Sequence, residues 1–209
     1  MIRSEARARV RIYIDELQEK RWKNTSIDNL LNELSNEVAA LILSLDESYY
    51  AKTATFSLQP TQELYNLPDD LLRIKRIKDT NSEPVTRILL SKLWDHEDRA
   101  YTDRYYFSGN QIGFRKVPAG AASYPYLYLR TPTPMTDDDN SPDVPAYLCH
   151  DLICVKTAID LLDLDEEMDT YLIRKKRDLE EQIKGIYYRR NTDDAEQTAS
   201  DLLLDDLEV

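Results

Sequence analysis

Glycine occurs four times and cysteine twice in this chain of 209 residues. The scarcity of glycine excludes a phosphate cradle. Gly109, Gly113 and Gly120 follow no Gly-x-Gly-x-x-Gly pattern, and no Lys-Ser/Thr pair follows them. Cys149 and Cys154 lie five apart on one predicted helix, where their side chains point in different directions. That spacing argues against an intrachain disulfide and suits synthesis in a reducing cytoplasm. Long apolar runs are also missing. The longest, Val38 to Leu43, is six residues, against the roughly 18 or more of a membrane span. The opening Met1-Ile2-Arg3-Ser4-Glu5 is charged and lacks the apolar middle of a secretory signal. Positive charge is in the minority, with 27 Lys and Arg against 39 Asp and Glu and a net charge of −12. Such a balance opposes non-specific nucleic-acid binding, which works by neutralising phosphates.

What is present falls into zones. The chain is 42% hydrophobic and 32% charged, enough for one core with much wetted surface. All nine prolines lie between Pro60 and Pro145, and most tyrosines and all three phenylalanines lie between Tyr49 and Tyr147. The flanks are proline-free and rich in Leu, Glu, Lys and Arg, and no internal repeat is visible. The expected fold class is α+β: a mainly helical bundle of two N-terminal and two C-terminal helices, a small central antiparallel β insertion, and an extended C-terminal arm. The expected divisions are a helical hairpin over 1–50, a β-rich insertion over 51–131, an acidic loop with C-terminal helices over 132–190, and an acidic arm over 191–209.

Periodicity predicts a first helix from about Ser4 to Arg21, with Ala6, Val10, Tyr13, Ile14 and Leu17 on one face. Arg3, Arg7, Arg9 and Arg11 crowd its start, where the helix dipole favours acids. They read either as a solvated face or as contacts to an acidic partner, such as another copy of the chain. Thr25 or Ser26 is expected to cap a second helix, whose Ile27, Leu30, Leu31, Leu34, Val38, Leu41, Ile42 and Leu45 repeat at three and four. Trp22 is placed to clamp the turn between the two.

The middle reads as short strands: Thr53 to Leu58, a turn, a return over Glu63 to Leu67, an alternating Leu72 to Asp79, and Pro84 to Leu90. A helical turn is expected within Leu90 to Ala100. Tyr105 to Phe114 is a hairpin around Gly109-Asn110, both of which tolerate positive φ. The stretch Tyr126 to Leu162 joins the last strand to the first C-terminal helix through Pro132, Pro134, Asp137, Asp138, Asp139, Asn140 and Pro142. Asp143 is the expected N-cap, and Leu148, Leu152, Val155, Ile159 and Leu162 the buried face. A last helix over Glu166 to Arg190 buries Met168, Leu172, Leu179, Ile183, Ile186 and Tyr187. Residues 191–209 then hold seven acids and no base, with Leu202, Leu203, Leu204, Leu207 and Val209 apolar. That composition reads either as a disordered acidic tail or, given its apolar cluster, as an arm that orders on a partner.

Several patterns invite a chemical reading and carry little of it. Asp138 with Asp143, or Asp95 with Glu97, can be drawn as a glycosidase pair, but no pocket that raises a carboxyl is readable around them. Asp137 to Asn140 offers calcium-type oxygens without the central Gly and terminal Glu of an EF-hand. Cys149, His150 and Cys154 have the wrong spacing for a zinc finger. His96 has no nucleophile motif to serve. No catalytic, cofactor or metal residue is assigned.

The order of motifs carries more. An Arg-rich helix runs through Arg21-Trp22 into Asn29-Leu30-Leu31-Asn32-Glu33. A strand ends in Leu67-Pro68-Asp69-Asp70-Leu71-Leu72-Arg73-Ile74. Another leads into Arg130-Thr131-Pro132-Thr133-Pro134-Met135 and Pro142-Asp143-Val144-Pro145. This order, over about Arg3 to Arg190, resembles the head-to-tail adaptor (connector) proteins of tailed bacteriophages. The resemblance implies a structural virion protein made in the host cytoplasm and placed in the neck. It would form a ring, twelve copies by family expectation, that docks under the portal protein and extends the DNA channel. It would also present a surface to tail or nozzle proteins. DNA would pass without specific binding, and neither membrane nor cofactor is implied. The portal-binding arm would be Leu202, Leu203, Leu204, Leu207 and Val209, with Arg3, Arg7, Arg9 and Arg11 meeting a neighbouring subunit or the portal. The alternatives are an acidic α+β hydrolase using a carboxylate pair and another neck or tail-completion protein.

Overall fold

Apolar residues at threes and fours bury one stripe of a helix, and alternating ones bury one face of a strand. The chain uses the two patterns in separate places. The computed structural model describes residues 1–16, 18–60, 62–92, 104–115, 120–164 and 169–205, with 92 and 190–205 described in backbone only. It divides into two compact units, Met1–Tyr49 with Pro132–Val209, and Tyr50–Thr131. Among the described residues the architecture is α+β, with four α-helices and two small sheets.

The first unit holds α1 (Arg3–Tyr13), α2 (Asn24–Leu45), α3 (Ala146–Leu164) and α4 (Thr170–Asp205). The expected α2 stripe is buried at Ile27, Leu31, Leu34, Val38 and Ile42. Its N-cap is Lys23, with no side-chain cap, in place of Thr25 or Ser26. The first helix stops at Tyr13, well short of Arg21, and the reason is local. The Asp15 N–H donates to the Ile12 carbonyl and the Glu16 N–H to the Arg11 carbonyl, with Asp15 at φ 51°. That is a Schellman ending with aspartate at the left-handed position glycine usually takes. Ala6 and Val10 are fully buried, while Leu17 lies outside the described residues.

The α3 helix also begins differently from expectation. Tyr147 is extended and Leu148 has φ 62° and ψ −34°, so regular helix starts only after them. The carboxylate of Asp143, the expected cap, accepts from the Thr133 N–H at 2.7 Å. The buried set on α3 is not one face. Cys149, Leu152, Ile153, Cys154, Val155, Ala158 and Leu161 are all buried because α1, α2 and α4 all pack on this helix, and a helix surrounded by neighbours is apolar all round. In α4, Leu172, Leu179, Ile183 and Tyr187 are buried, but Ile186 is 45% exposed; Met168 lies outside the described residues. The Asp169 carboxylate caps its start through the Tyr171 N–H at 2.8 Å. The helix does not end near Arg190 but continues to Asp205, through a segment without proline or glycine.

The second unit holds β1 (Ala51–Leu58), β2 (Leu64–Asn66), β3 (Leu71–Ile77), β4 (Thr86–Arg87), β5 (Arg104–Ser108), β6 (Gln111–Phe114) and β7 (Ala122–Arg130). These make a three-stranded sheet ordered β1-β7-β3 and a four-stranded sheet ordered β2-β6-β5-β4. The insertion is not wholly antiparallel, since β4 pairs with β5 in parallel. Nor does β2 fold back on β1. Instead β1 pairs with β7 over its whole length, Phe56 opposite Tyr124 and Ala54 opposite Tyr126. The core explains the choice: Tyr124, Tyr126 and Tyr128 alternate inward along β7, and Phe56 stacks on Tyr126 at 4.1 Å between centroids. Phe114 meets the edges of Phe56, Tyr65 and Tyr124. The β5–β6 hairpin forms as expected, with positive φ at Gly109. Gly113 has a second reason to be glycine: a Cβ there would sit 2.2 Å from the Tyr106 ring.

Candidate functional site

Each of the four arginines of α1 has an acidic partner within the chain. Arg3 reaches the Asp138 carboxylate through Nε at 3.3 Å and Nη2 at 3.1 Å. Arg7 makes a fork to Asp28 on α2 at 2.8 and 2.7 Å, and its Nη2 also reaches Asp138 at 2.6 Å. Arg9 pairs with Asp151 on α3. Arg11 is buried, at 7% exposure beside Glu16 at 9%. It donates to Glu16, to the Gln18 and Trp22 carbonyls, and to the Asn24 side chain. One short helix thus ties together the acidic loop, α2, α3 and its own connection to α2. An inter-subunit contact through these arginines would involve charges that already have internal partners.

Glu16 is the least expected member. Its Oε1 accepts from the backbone N–H groups of Lys20, Arg21 and Trp22 at 2.8, 2.8 and 3.1 Å. Burial pushes its carboxyl up, but those N–H bonds and the Arg11 charge outweigh burial and hold it below its ordinary 4.5. Trp22 therefore braces the turn through its backbone N–H and carbonyl.

The acidic loop is built against the start of α1. The Arg3 and Ser4 N–H groups, orphans at a helix N-terminus, donate to the Asn140 and Asp138 carbonyls at 2.7 and 3.2 Å. The Glu5 carboxylate accepts from the Ile2 N–H at 3.0 Å. Asn140 Oδ1 collects the Thr136 and Asp137 N–H groups, which folds the aspartate run into a turn. Asn32 on α2 clasps Met135: its Oδ1 accepts the Met135 N–H at 2.9 Å and its Nδ2 donates to the Met135 carbonyl at 3.0 Å. Hydrogen bonds from Arg7 and Arg3 hold the Asp138 carboxyl below the usual carboxylate range. A general acid needs the opposite shift, so the arrangement places Asp138 as an anion tying Arg3 and Arg7 and not as the acid of a glycosidase pair with Asp143.

The other sequence candidates are dispersed. Burial pushes the Cys149 thiol up to about 11 and the Cys154 thiol to about 12, whereas zinc needs thiolates. His150 is buried and hydrogen-bonds the backbone of Val144 and Pro142. Among the described residues no group of three or more His, Cys, Asp or Glu is placed to hold a metal ion. Asp95, His96 and Glu97 lie outside those residues, as do Leu207 and Val209. Leu202, Leu203 and Leu204 fall on the last turns of α4, where only the backbone is described.

Where α3 is broken, an open groove of about 580 Å³ lies between Tyr147-Leu148 and the α4 residues Asp178, Glu181, Gly185, Ile186 and Arg189. Tyr147 is 73% exposed, and Tyr171 and Tyr188 on α4 are similarly open. No described helix is long and apolar enough to cross a membrane.

Asn32, Asp28, Asp138, Asp151 and Glu16 complete this arrangement, and sequence reasoning singled out none of them for it. The available signal was the four-residue spacing of Arg3, Arg7 and Arg11, which puts three guanidiniums along one side of a helix; the acids that answer them are far off in sequence. A search of curated proteins finds no match. A family model described as SU10 adaptor protein matches residues 1–203, a span that takes in α1, the acidic loop and both units. By that match the chain belongs to the SU10 adaptor protein family, in keeping with the phage head-to-tail adaptors that its motif order resembles.

Proposed function

We propose that this protein is a structural subunit of a phage neck, assembling as a ring beneath the portal, continuing the DNA channel and giving the tail its attachment surface. The observation that carries the reading is the family match over 1–203. The geometry agrees with it. A helical unit cross-tied by α1 offers a rigid body, and the open Tyr147, Tyr171 and Tyr188 offer the aromatic contacts that interfaces favour. A net charge of −12 lets DNA slide past without adhering. In this reading the ring has twelve copies, to match the portal. Leu202, Leu203, Leu204, Leu207 and Val209 form the anchor on the portal. Arg9, the most exposed of the four α1 arginines, is the one best placed to add a contact to a neighbouring subunit.

The test is particle mass in solution for the protein alone, mixed with its portal ring, and mixed after deletion of Asp201 to Val209. A portal-plus-ring species that forms only with the intact segment is the expected result. If the full-length chain never joins the portal, the adaptor role is refuted. If the shortened chain joins equally well, the anchor assignment is refuted alone.

A further inference from the structure

Charge is divided unevenly between the two units. Residues 50–131 hold twelve bases and nine acids, a balance of +3, while the rest of the chain holds fifteen bases and thirty acids, a balance of −15. An acidic protein therefore carries a net basic β unit. Within it the positive charge gathers on β3. Two register shifts, between Leu71 and Arg73 and between Ile74 and Arg76, replace the usual alternation with a period of three. Leu71, Ile74 and Ile77 turn towards the core, and Leu72, Arg73, Lys75 and Arg76 are left exposed.

The strand stands at the edge of its sheet. Arg73 is paired with Leu129 and Arg76 with Leu127; on the far side of β7, Thr53 faces Leu127 and Thr55 faces Pro125. The outer surface of the sheet is then a row of exposed hydroxyls, an apolar middle at Leu127 and Pro125, and a basic border. None of its three strands contains an aspartate or glutamate. Basic residues and bulges also guard an edge strand against stray pairing. Edge protection does not call for Leu72 and Leu127 to be open beside them, at 49% and 37% exposure.

We infer that this sheet face docks the acidic segment 191–209 of a second copy of the chain. That segment has the complementary composition: seven acids, no base, and apolar residues at Leu202, Leu203, Leu204, Leu207 and Val209. Acids meet the arginine border and leucines cover the apolar middle. Nucleic acid would answer the arginines through its phosphates and leave Leu72 and Leu127 uncovered. Every copy carries both halves of the contact, so it is head-to-tail and repeats from copy to copy. The inference rests on the adaptor reading in one respect. The same segment is the proposed portal anchor, so the sheet holds it until the portal takes it, and the two contacts exclude each other.

The test puts a photo-crosslinking benzophenone residue in place of Leu72 in the full-length chain and mixes isotopically light and heavy copies before irradiation. Mixed-label crosslinks from position 72 to peptides within 191–209 are expected. Arg73→Glu with Arg76→Glu should lower their yield about tenfold, as like charges brought together across an interface do. Arg73→Lys with Arg76→Lys should retain most of it, and adding the portal ring should abolish it. Crosslinks that carry one label only, that map elsewhere, or that go to added duplex DNA overturn the inference. So does their absence from the free chain. Portal binding is read separately by mass: the glutamate double variant should still bind the portal. In the unsubstituted chain, absence of the self-contact with portal binding intact refutes this inference alone, and self-contact without portal binding refutes the adaptor reading alone.

Discussion

Replacing Asn32 with alanine tests whether the acidic loop is held by a clasp rather than by charge alone. The Asn32 amide satisfies both backbone groups of Met135, at 2.9 and 3.0 Å, and Met135 is 2% exposed. Asn32→Ala removes both bonds. The Met135 carbonyl keeps Arg3 Nη1 at 3.0 Å, but its N–H loses its acceptor. Two net hydrogen bonds at about 1 kcal/mol each, plus part of the penalty for stranding a buried N–H, give about 2–4 kcal/mol. At roughly 2–4 °C per kcal/mol for a chain of this length, the melting transition of the helical unit should fall by roughly 8 °C. Urea unfolding followed by helix circular dichroism gives the stabilities. Hydrogen exchange at the Met135 amide localises the effect, and should be faster by about tenfold or more in the alanine variant. If alanine costs less than about 0.5 kcal/mol, the clasp does not hold the loop and the argument fails.

Four further outcomes follow from the same geometry. Glu16 is depressed in the folded state, so its contribution is present above the ordinary 4.5 and is lost as pH falls through the lower folded value; acid titration of stability should flatten below pH 4.5 in Glu16→Gln, and an unchanged profile would show that the three N–H bonds do not matter. Asp15 occupies a left-handed position at a helix C-terminus, so Asp15→Gly should stabilise by about 0.5–1 kcal/mol in thermal unfolding, and a loss of stability would contradict the Schellman ending. Gly113→Ala drives a Cβ into the Tyr106 ring and should cost about 1–3 kcal/mol in the β unit, read from the near-ultraviolet signal of its tyrosines. Cys149 and Cys154, with thiols pushed up to about 11 and about 12, should ignore a disulfide reagent at pH 8, where on the order of one Cys149 thiol in a thousand is ionised. Reaction of either in the folded protein at the rate seen in urea would show that they are not core residues.

What the sequence made legible was local. The α2 stripe, the Gly109 hairpin and the mixture of helices with small sheets all follow from periods of three to four or two within a dozen residues. What it concealed was decided at a distance. Nothing in Thr53 to Leu58 says that its partner is β7 and not the nearer β2, because the choice is made by three alternating tyrosines about seventy residues later. The stripe expected on α3 was too narrow, with Leu152 and Val155 buried as expected but joined by other faces, because periodicity counts one buried face and cannot count neighbours. The α1 arginines were visible as a cluster, yet Asp28, Asp138 and Asp151 look like any other acids until the fold brings them near. Helix ends were misjudged where an unusual residue takes a left-handed backbone: Asp15 and Leu148 carry no glycine to announce it.

Those two backbone positions decide more than helix length. Had α1 run on to Arg21, Glu16 would sit on the helix five residues from Arg11, and residues three or four apart, not five, are neighbours there. Ending the helix at Tyr13 turns the chain so that the Glu16 carboxylate faces Arg11 and collects the three N–H groups of the next turn. The guanidinium of Arg11 is then buried with a partner, without which its burial would be costly. At the other end of the unit, a regular helix from Asp143 would draw residues 143–148 into α3. The break at Leu148 instead leaves Asp143 to hold Thr133, while Asn140, Asp138 and Met135 lie against α1 and α2. Both interruptions thus place an acid where a basic or N–H group needs one. The reinforcement of the helical unit lies in helix endings that a longer, more regular helix would have erased.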